Sequence, residues 1–253
     1  MYKDEMNVSG ADLYSGLQKI FPDEKNLTLT ERLDAARGPL LSWYRENRRD
    51  LPWRENRDAY RIWISEIMLQ QTRVEAVIGY YDRFLEELPN VQSLAAVSEE
   101  RLLKLWEGLG YYNRARNLQK AAVQICEQYQ GKFPESYEEW LALPGIGAYT
   151  AGAVTSIAFG KKEAAVDGNV YRIYTRLYAD DTEISKTAFQ RNVRETVKEA
   201  LPEEAGRFNQ ALMDLGALIC IPNGEPHCSV CPVAEFCKAR KQGTMQCYPV
   251  KKT

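Results

Sequence analysis

Two carboxylates in unlike settings are the residues of this sequence best suited to acid–base chemistry. Glu66 lies in WISEIMLQQT beside Trp63, Ile67 and Met68, and Asp167 follows the apolar run Ala164-Ala165-Val166 and precedes Gly168-Asn169. Apolar neighbours desolvate a carboxyl and raise its pKa, which suits Glu66 to donating a proton near neutral pH. At a helix start, cap hydrogen bonds keep a carboxylate such as Asp167 ionised. Facing one sugar, two such acids cleave a glycosidic bond: one protonates the leaving group, the other stabilises or traps the oxocarbenium-like centre. The two acids stand about a hundred positions apart, so only the fold can bring them together. Each has a plainer use as well. Glu66 can be a solvated helix-face acid or a partner of Arg61 or Arg73, and Asp167 can be no more than an N-cap.

Between them, LPGIG at residues 143–147 has the composition of a tight turn joining two helices. Pro144 fixes φ, Gly145 and Gly147 permit positive φ, and the turn leaves N–H groups at a helix start, where phosphate is favoured. An ordinary helix–turn–helix corner fits the same five residues. GLGYYNRARN, residues 108–117, joins a glycine turn to two tyrosines and two arginines. An aromatic on such a turn can wedge between bases while arginines meet phosphates; a turn with one buried tyrosine is the plainer alternative. Gln70 and Gln71, at the end of the Glu66 helix, match the donor–acceptor edge of adenine, and a polar helix end explains them equally well.

Four of the six cysteines, Cys220, Cys228, Cys231 and Cys237, fall within eighteen residues as C-x7-C-x2-C-x5-C. In a reducing compartment such a run favours a metal site over disulfides, and four thiolates fit either tetrahedral zinc or a [4Fe–4S] cube. Spacing does not choose between them. His227, beside Cys228, could in principle be a ligand, but four cysteines already complete a site, so it reads as a residue behind the ligands or on the surface.

The elements that must position these groups are helices. Apolar periodicity predicts helices over about 29–49, 58–72, 73–88, 98–107, 113–129, 136–142, 148–159, 168–179, 186–200 and 204–219, with Gly or Pro breakers between them and no strand-like alternation. Pro52 ends the first, and Asp58 caps the second. Residues 1–28 show weak periodicity and read as an appendage. No apolar run approaches the roughly 20 residues that span a bilayer. The start, MYKDEMNVSG, has no apolar core of an export signal, so cytoplasmic residence is the default expectation. With 33 basic and 35 acidic residues, net charge does not advertise nucleic-acid binding, although basic groups gathered on one face would suffice for it.

Taken in order, LPWR, SEIMLQQT, GLGYYNRARN, FPESYEEWLALPGIGAYTAGAV, AVDGNVYRI, RFNQALMDLGALIC and the cysteine run resemble the helix–hairpin–helix DNA glycosylase superfamily, over roughly residues 30–250. Within it the match is closest to the adenine-removing, MutY-type branch. The resemblance implies an all-α fold of a six-helix barrel module over 51–160, carrying the hairpin, and an iron–sulfur module built from 29–50 and 161–240. Residues 1–28 would be an extension, and 241–253 a tail or the start of a linker to an absent C-terminal domain. By the same resemblance, Glu66 would protonate adenine N7 and Asp167 would stabilise the sugar cation or form a transient adduct, supported by Tyr149 and Asn169. Gln71 would lie by the lesion pair, Tyr111 would intercalate, and Leu143, Gly145 and Gly147 would hold the backbone of double-stranded DNA. The four cysteines would bind [4Fe–4S].

Relatives that also nick DNA carry Lys where this chain has Tyr149, so the implied reaction is base removal alone, by a monomer. Its substrate is adenine opposite 8-oxoguanine or guanine. A thymine or uracil mismatch glycosylase is the nearest rival, and a non-catalytic DNA-binding module with structural zinc is a further one. The LQQT stretch favours adenine. MutY-type chains continue past the point where YPVKKT ends this sequence, into a domain that reads 8-oxoguanine.

Overall fold

The computed structural model describes residues 28–251; the expected appendage at 1–28 lies outside them except for Thr28. Every regular element among the described residues is helical. Side-chain caps set several starts. Thr28 and Glu31 close a capping box ahead of α1 (Leu29–Asn47), and Asp58 accepts from the Arg61 amide to start α2 (Ala59–Met68). Asn90 and Ser136 do the same for α4 (Val91–Ala96) and α7 (Tyr137–Leu141). The others are α3 (Val74–Glu87), α5 (Glu99–Leu105), α6 (Asn113–Tyr129), α8 (Ala148–Phe159), α9 (Gly168–Tyr178), α10 (Thr187–Glu199), α11 (Ala205–Leu218) and α12 (Lys238–Gln242).

The predicted helices are all present, with three corrections. The short helices α4 and α12 were not predicted; six and five residues are too few to show a period. Leu51-Pro52-Trp53-Arg54 is more than a break, since Pro52–Arg54 form a 3-10 turn. Finally, α2 ends at Met68 rather than near Thr72, so Gln70 and Gln71 stand on a turn beyond it.

Apolar side chains collect into two cores. The first is built by residues from Leu51 to Ile157, joined by Ala165 and Met213. At its heart, Trp63, Phe133 and Trp140 pack together, Phe133 stacked on Trp140 with centroids 5.9 Å apart and Trp63 edge-on to Trp140 at 5.7 Å. Truncating one such buried aromatic costs about 3–5 kcal/mol. The second core takes α1 together with residues from Ala164 to Phe236. Helix α11 packs on α1 and α9 of the second core and on α8 of the first, so it joins the two.

The helix that matters most for chemistry is α2. Nine of its ten residues are buried, so it runs through the first core with apolar side chains on every face. Glu66 is among the nine. A charge there is largely withdrawn from bulk water, and the fold must supply its partners.

Candidate active site

Glu66 and Asp167 line the same cavity, a space of about 580 Å³ between the two cores. Three features of the sequence bring the second acid to the first. Gly152 lies one turn after Tyr149 on α8, and a Cβ there would stand 2.1 Å from the Ala164 carbonyl oxygen. The missing side chain lets the irregular segment 160–167 run flush against α8. The buried Asn209 then ties that segment down: its Oδ1 accepts from the Ala165 amide at 3.2 Å, while its Nδ2 donates to the Ser156 hydroxyl and the Glu163 carbonyl. Gly216 on α11 makes room for the side chain of Asn169, whose Cβ would lie 2.5 Å from a Cβ at 216.

Asp167 is both a cap and a cavity residue. Its Oδ1 accepts the Val170 amide at 2.9 Å as N-cap of α9, and its Oδ2 accepts Asn169 Nδ2 at 2.7 Å. Asn169 is itself fixed by Arg172, which donates to its Oδ1 at 2.7 Å. Burial raises the Asp167 pKa, and the bonds from Val170 and Asn169 counteract it. On the opposite wall the Tyr149 hydroxyl donates to Glu66 Oε2 at 2.7 Å and lies 3.8 Å from Met213 Sδ. Neither Arg61 nor Arg73 pairs with Glu66. Burial pushes Glu66 up to about 7; Tyr149 lowers it, the charge of Asp167 raises it further, and Arg54 lowers it. One carboxyl is therefore poised to hold a proton near neutrality; the other is raised by burial and accepts two hydrogen bonds that favour its charged form.

A third acid escaped the sequence reading. Asp214 on α11 is wholly buried and accepts from the Arg49 amide and Nε and from both terminal nitrogens of Arg54, at 2.6–3.1 Å. Burial alone would raise its pKa, but Arg54 and Arg49 hold the carboxyl below its ordinary value. Arg49, Arg54, Gln210 and Met213 all line the cavity. An acid inside an apolar helix, at ALMDLGAL, was the available signal.

Gln71 lines the cavity and is exposed with φ +59°; Tyr111 does not line it, and is 64% exposed with φ +48°. A left-handed backbone costs a non-glycine residue about 1–2 kcal/mol, so both turns are held by something. Arg114 does not await phosphate: its two terminal nitrogens are engaged with protein oxygens and its Nε is buried. Arg116 pairs with Glu99. In the hairpin, Gly145 has φ +76° and its Cβ would strike Asn117, whereas Gly147 has φ −101° and needs no glycine for its backbone. Gly147 caps α8 without any side-chain hydrogen bond, which leaves first-turn amides for an external anion. Leu143 is buried in the first core, and its amide and carbonyl are bonded within the turn, to Trp140 and Ile146.

The four clustered cysteines line one cavity with Arg176 and Arg240, while His227 is exposed. Burial raises the thiols of Cys228 and Cys237 and pushes Cys231 up to about 12. Arg176 donates to Cys220 Sγ at 3.3 Å. Among the described residues, no three metal-ligating side chains converge on a point for a single ion. Four soft donors around one space, with guanidinium charge beside them, fit an anionic thiolate cluster.

Residues 64–199 match the family described as HhH-GPD superfamily base excision DNA repair protein. Human adenine DNA glycosylase is 44% identical over 218 residues, covering 82% of this chain and 40% of that protein. The adenine DNA glycosylase of Buchnera aphidicola subsp. Acyrthosiphon pisum is 41% identical, covering 84% of this chain and 61% of that protein. The chain thus spans less than two thirds of the length of these relatives. Among solved structures, a thermostable thymine-DNA glycosylase superposes with TM-score 0.74 at 30% identity, over 83% of this chain and 97% of its own. A non-covalent endonuclease III–DNA complex gives TM-score 0.71 at 25% identity, over 86% and 98%.

Proposed function

Because the chain belongs to the HhH-GPD superfamily of base excision DNA repair proteins, we propose that it is a monofunctional adenine DNA glycosylase, acting as a monomer on double-stranded DNA at adenine opposite 8-oxoguanine or guanine. The observation that carries this reading is the one cavity in which Tyr149 holds Glu66 and Asn169 holds Asp167. Its volume is in the range of small-molecule pockets and admits an extruded base. Protonated Glu66 delivers its proton to adenine N7, which turns the base into a neutral leaving group. Asp167 then faces the positive charge that develops on the sugar. Tyr111 and Gln71 enter the base stack, and the first-turn amides of α8 take a phosphate.

Cavity chemistry also supports base removal without strand cleavage. The cations that line it are Arg49, Arg54 and Arg73, with no lysine among the lining residues, so no amine is there to form a Schiff base. Cys220, Cys228, Cys231 and Cys237 would hold [4Fe–4S], which supplies cross-linking of residues 220–237 rather than a reaction step. A brown protein with broad visible absorption supports the cluster; a colourless protein with one zinc overturns it.

The substrate is tested with duplexes carrying A, T or U opposite G and 8-oxoguanine. Excision of A, with strands breaking only after alkali, is the expected result. The likeness to a thymine-DNA glycosylase over almost its full length favours one rival, and excision of T alone would establish that rival. Glu66→Gln and Asp167→Asn are expected to abolish turnover and retain mismatch binding; near wild-type turnover in either removes that residue from the mechanism.

A further inference from the structure

Arg114 on α6 connects the cavity-lining turn that carries Gln71 to the turn that carries Tyr111, from different parts of the chain. Its Nη1 donates to the carbonyls of Ile67, Met68 and Gln70 at 2.8, 2.9 and 2.6 Å. Its Nη2 donates to the Thr72 hydroxyl at 3.3 Å and to the carbonyls of Leu109 and Gly110 at 2.9 and 3.3 Å. The first set lies at the C-terminus of α2 and in the turn that carries Gln71. Of the second set, Thr72 belongs to that same turn, whereas Leu109 and Gly110 lie immediately before Tyr111, and the Arg114 amide itself donates to the Tyr111 carbonyl at 2.9 Å. The guanidinium carbon also sits 5.6 Å from the centroid of the Tyr111 ring.

We infer that Arg114 is a positioning residue that presents Gln71 and Tyr111 together to the base stack, so that the target base is extruded by one preassembled wedge rather than by two independent side chains.

Three physical points carry this. The last carbonyls of a helix lack intrahelical partners, and a cation at a helix C-terminus is favourable. Arg114 answers both needs at α2 and thereby ends that helix at Met68, before Gln71. Gln71 and Tyr111 both hold left-handed backbone without being glycine, and such conformations persist where the surroundings over-determine them. Finally, among the described residues no other side chain bonds both turns: Gln70 Nε2 reaches the Thr150 hydroxyl at 3.5 Å on one side, Trp106 Nε1 reaches the Gly110 carbonyl on the other, and the rest are local bonds. Lys, a point charge with no planar fork, cannot span both carbonyl sets.

The inference rests on the DNA glycosylase reading above, and its test has a readout independent of base excision. The probe is a duplex with 2-aminopurine in place of the target adenine opposite guanine, whose fluorescence rises as it leaves the stack. Arg114→Lys is expected to lose most of the rise seen with wild type at saturating protein, and to slow single-turnover adenine excision by at least about tenfold. In a Gln71→Ala, Tyr111→Ala background, the same Arg114→Lys change is expected to cost less than about twofold, because the wedge it positions is gone. Equal losses in both backgrounds, or a wild-type fluorescence rise in Arg114→Lys, overturn the inference. Should Arg114→Lys fail to fold, Thr72→Val removes one of the six bonds and is expected to reduce the rise partially; a full rise there also overturns it. A wild type that extrudes 2-aminopurine and excises nothing overturns the proposed function, while the fluorescence arm still decides on Arg114.

Discussion

Tyr149 and Glu66, separated by 83 positions, share a 2.7 Å hydrogen bond in which the phenol donates to the carboxyl. A donor to a carboxylate favours its charged form, so this bond restrains a pKa that burial otherwise drives upward. Tyr149→Phe removes the restraint. The alkaline limb of the single-turnover excision profile, where Glu66 loses its proton near pH 7 in the wild type, is expected to move to higher pH, with a lower plateau. An unmoved limb would mean that Glu66 is not the group that titrates.

Glu66 also links function to stability. Its native pKa of about 7 exceeds the ordinary 4.5, so between those values the native state binds more protons than the unfolded one. Its contribution to stability is therefore fully present below pH 4.5 and is lost as pH rises through 7. The shift corresponds to about 3 kcal/mol. Glu66→Gln is expected to be the more stable protein at pH 8, and to lose that advantage below pH 4.5, as read from urea unfolding at several pH values. Equal stabilities across the range would refute the burial argument.

Asp214 is expected to show the opposite behaviour. Its removal leaves Arg54, 9% exposed at the side chain, without the carboxylate that neutralises it. Asp214→Ala is expected to cost about 3–5 kcal/mol in denaturant unfolding, as for other buried pairs broken from one side. A loss below about 1 kcal/mol would place this pair with ordinary surface bridges.

Gly152→Ala tests the seam between α8 and the segment 160–167. The new Cβ meets backbone rather than a pliable side chain, so Asp167 must move with its segment. Overpacking of this kind costs about 1–3 kcal/mol. Excision by the folded protein is expected to fall about 100-fold, because the displaced group is the one proposed to face the sugar. A variant with full activity would show that the seam yields without moving Asp167.

What the sequence disclosed follows from the range of the forces involved. Helix α6 at 113–129 and helix α8 at 148–159 were placed correctly because glycines or turns bound them and apolar spacing fills them. The end of α2 was misplaced because Arg114, more than forty positions downstream, takes its last carbonyls. Asp214 went unnoticed because its partners lie 160–165 positions away. Gly147 was credited with a backbone freedom it does not use, since a glycine suits either an open N-cap or a left-handed turn. Local chemistry was legible; convergence was not.

Asp167 as the N-cap of α9 bears on the lifetime of anything it binds. The first-turn amides of that helix form the positive end of its dipole, and the carboxylate is their counter-charge. Were the carboxylate to become an ester with the sugar, the helix would lose its counter-ion while the bond lasted. The helix therefore acts as a spring that is slack only when Asp167 is an anion. On the proposed mechanism it would bias any such adduct toward release.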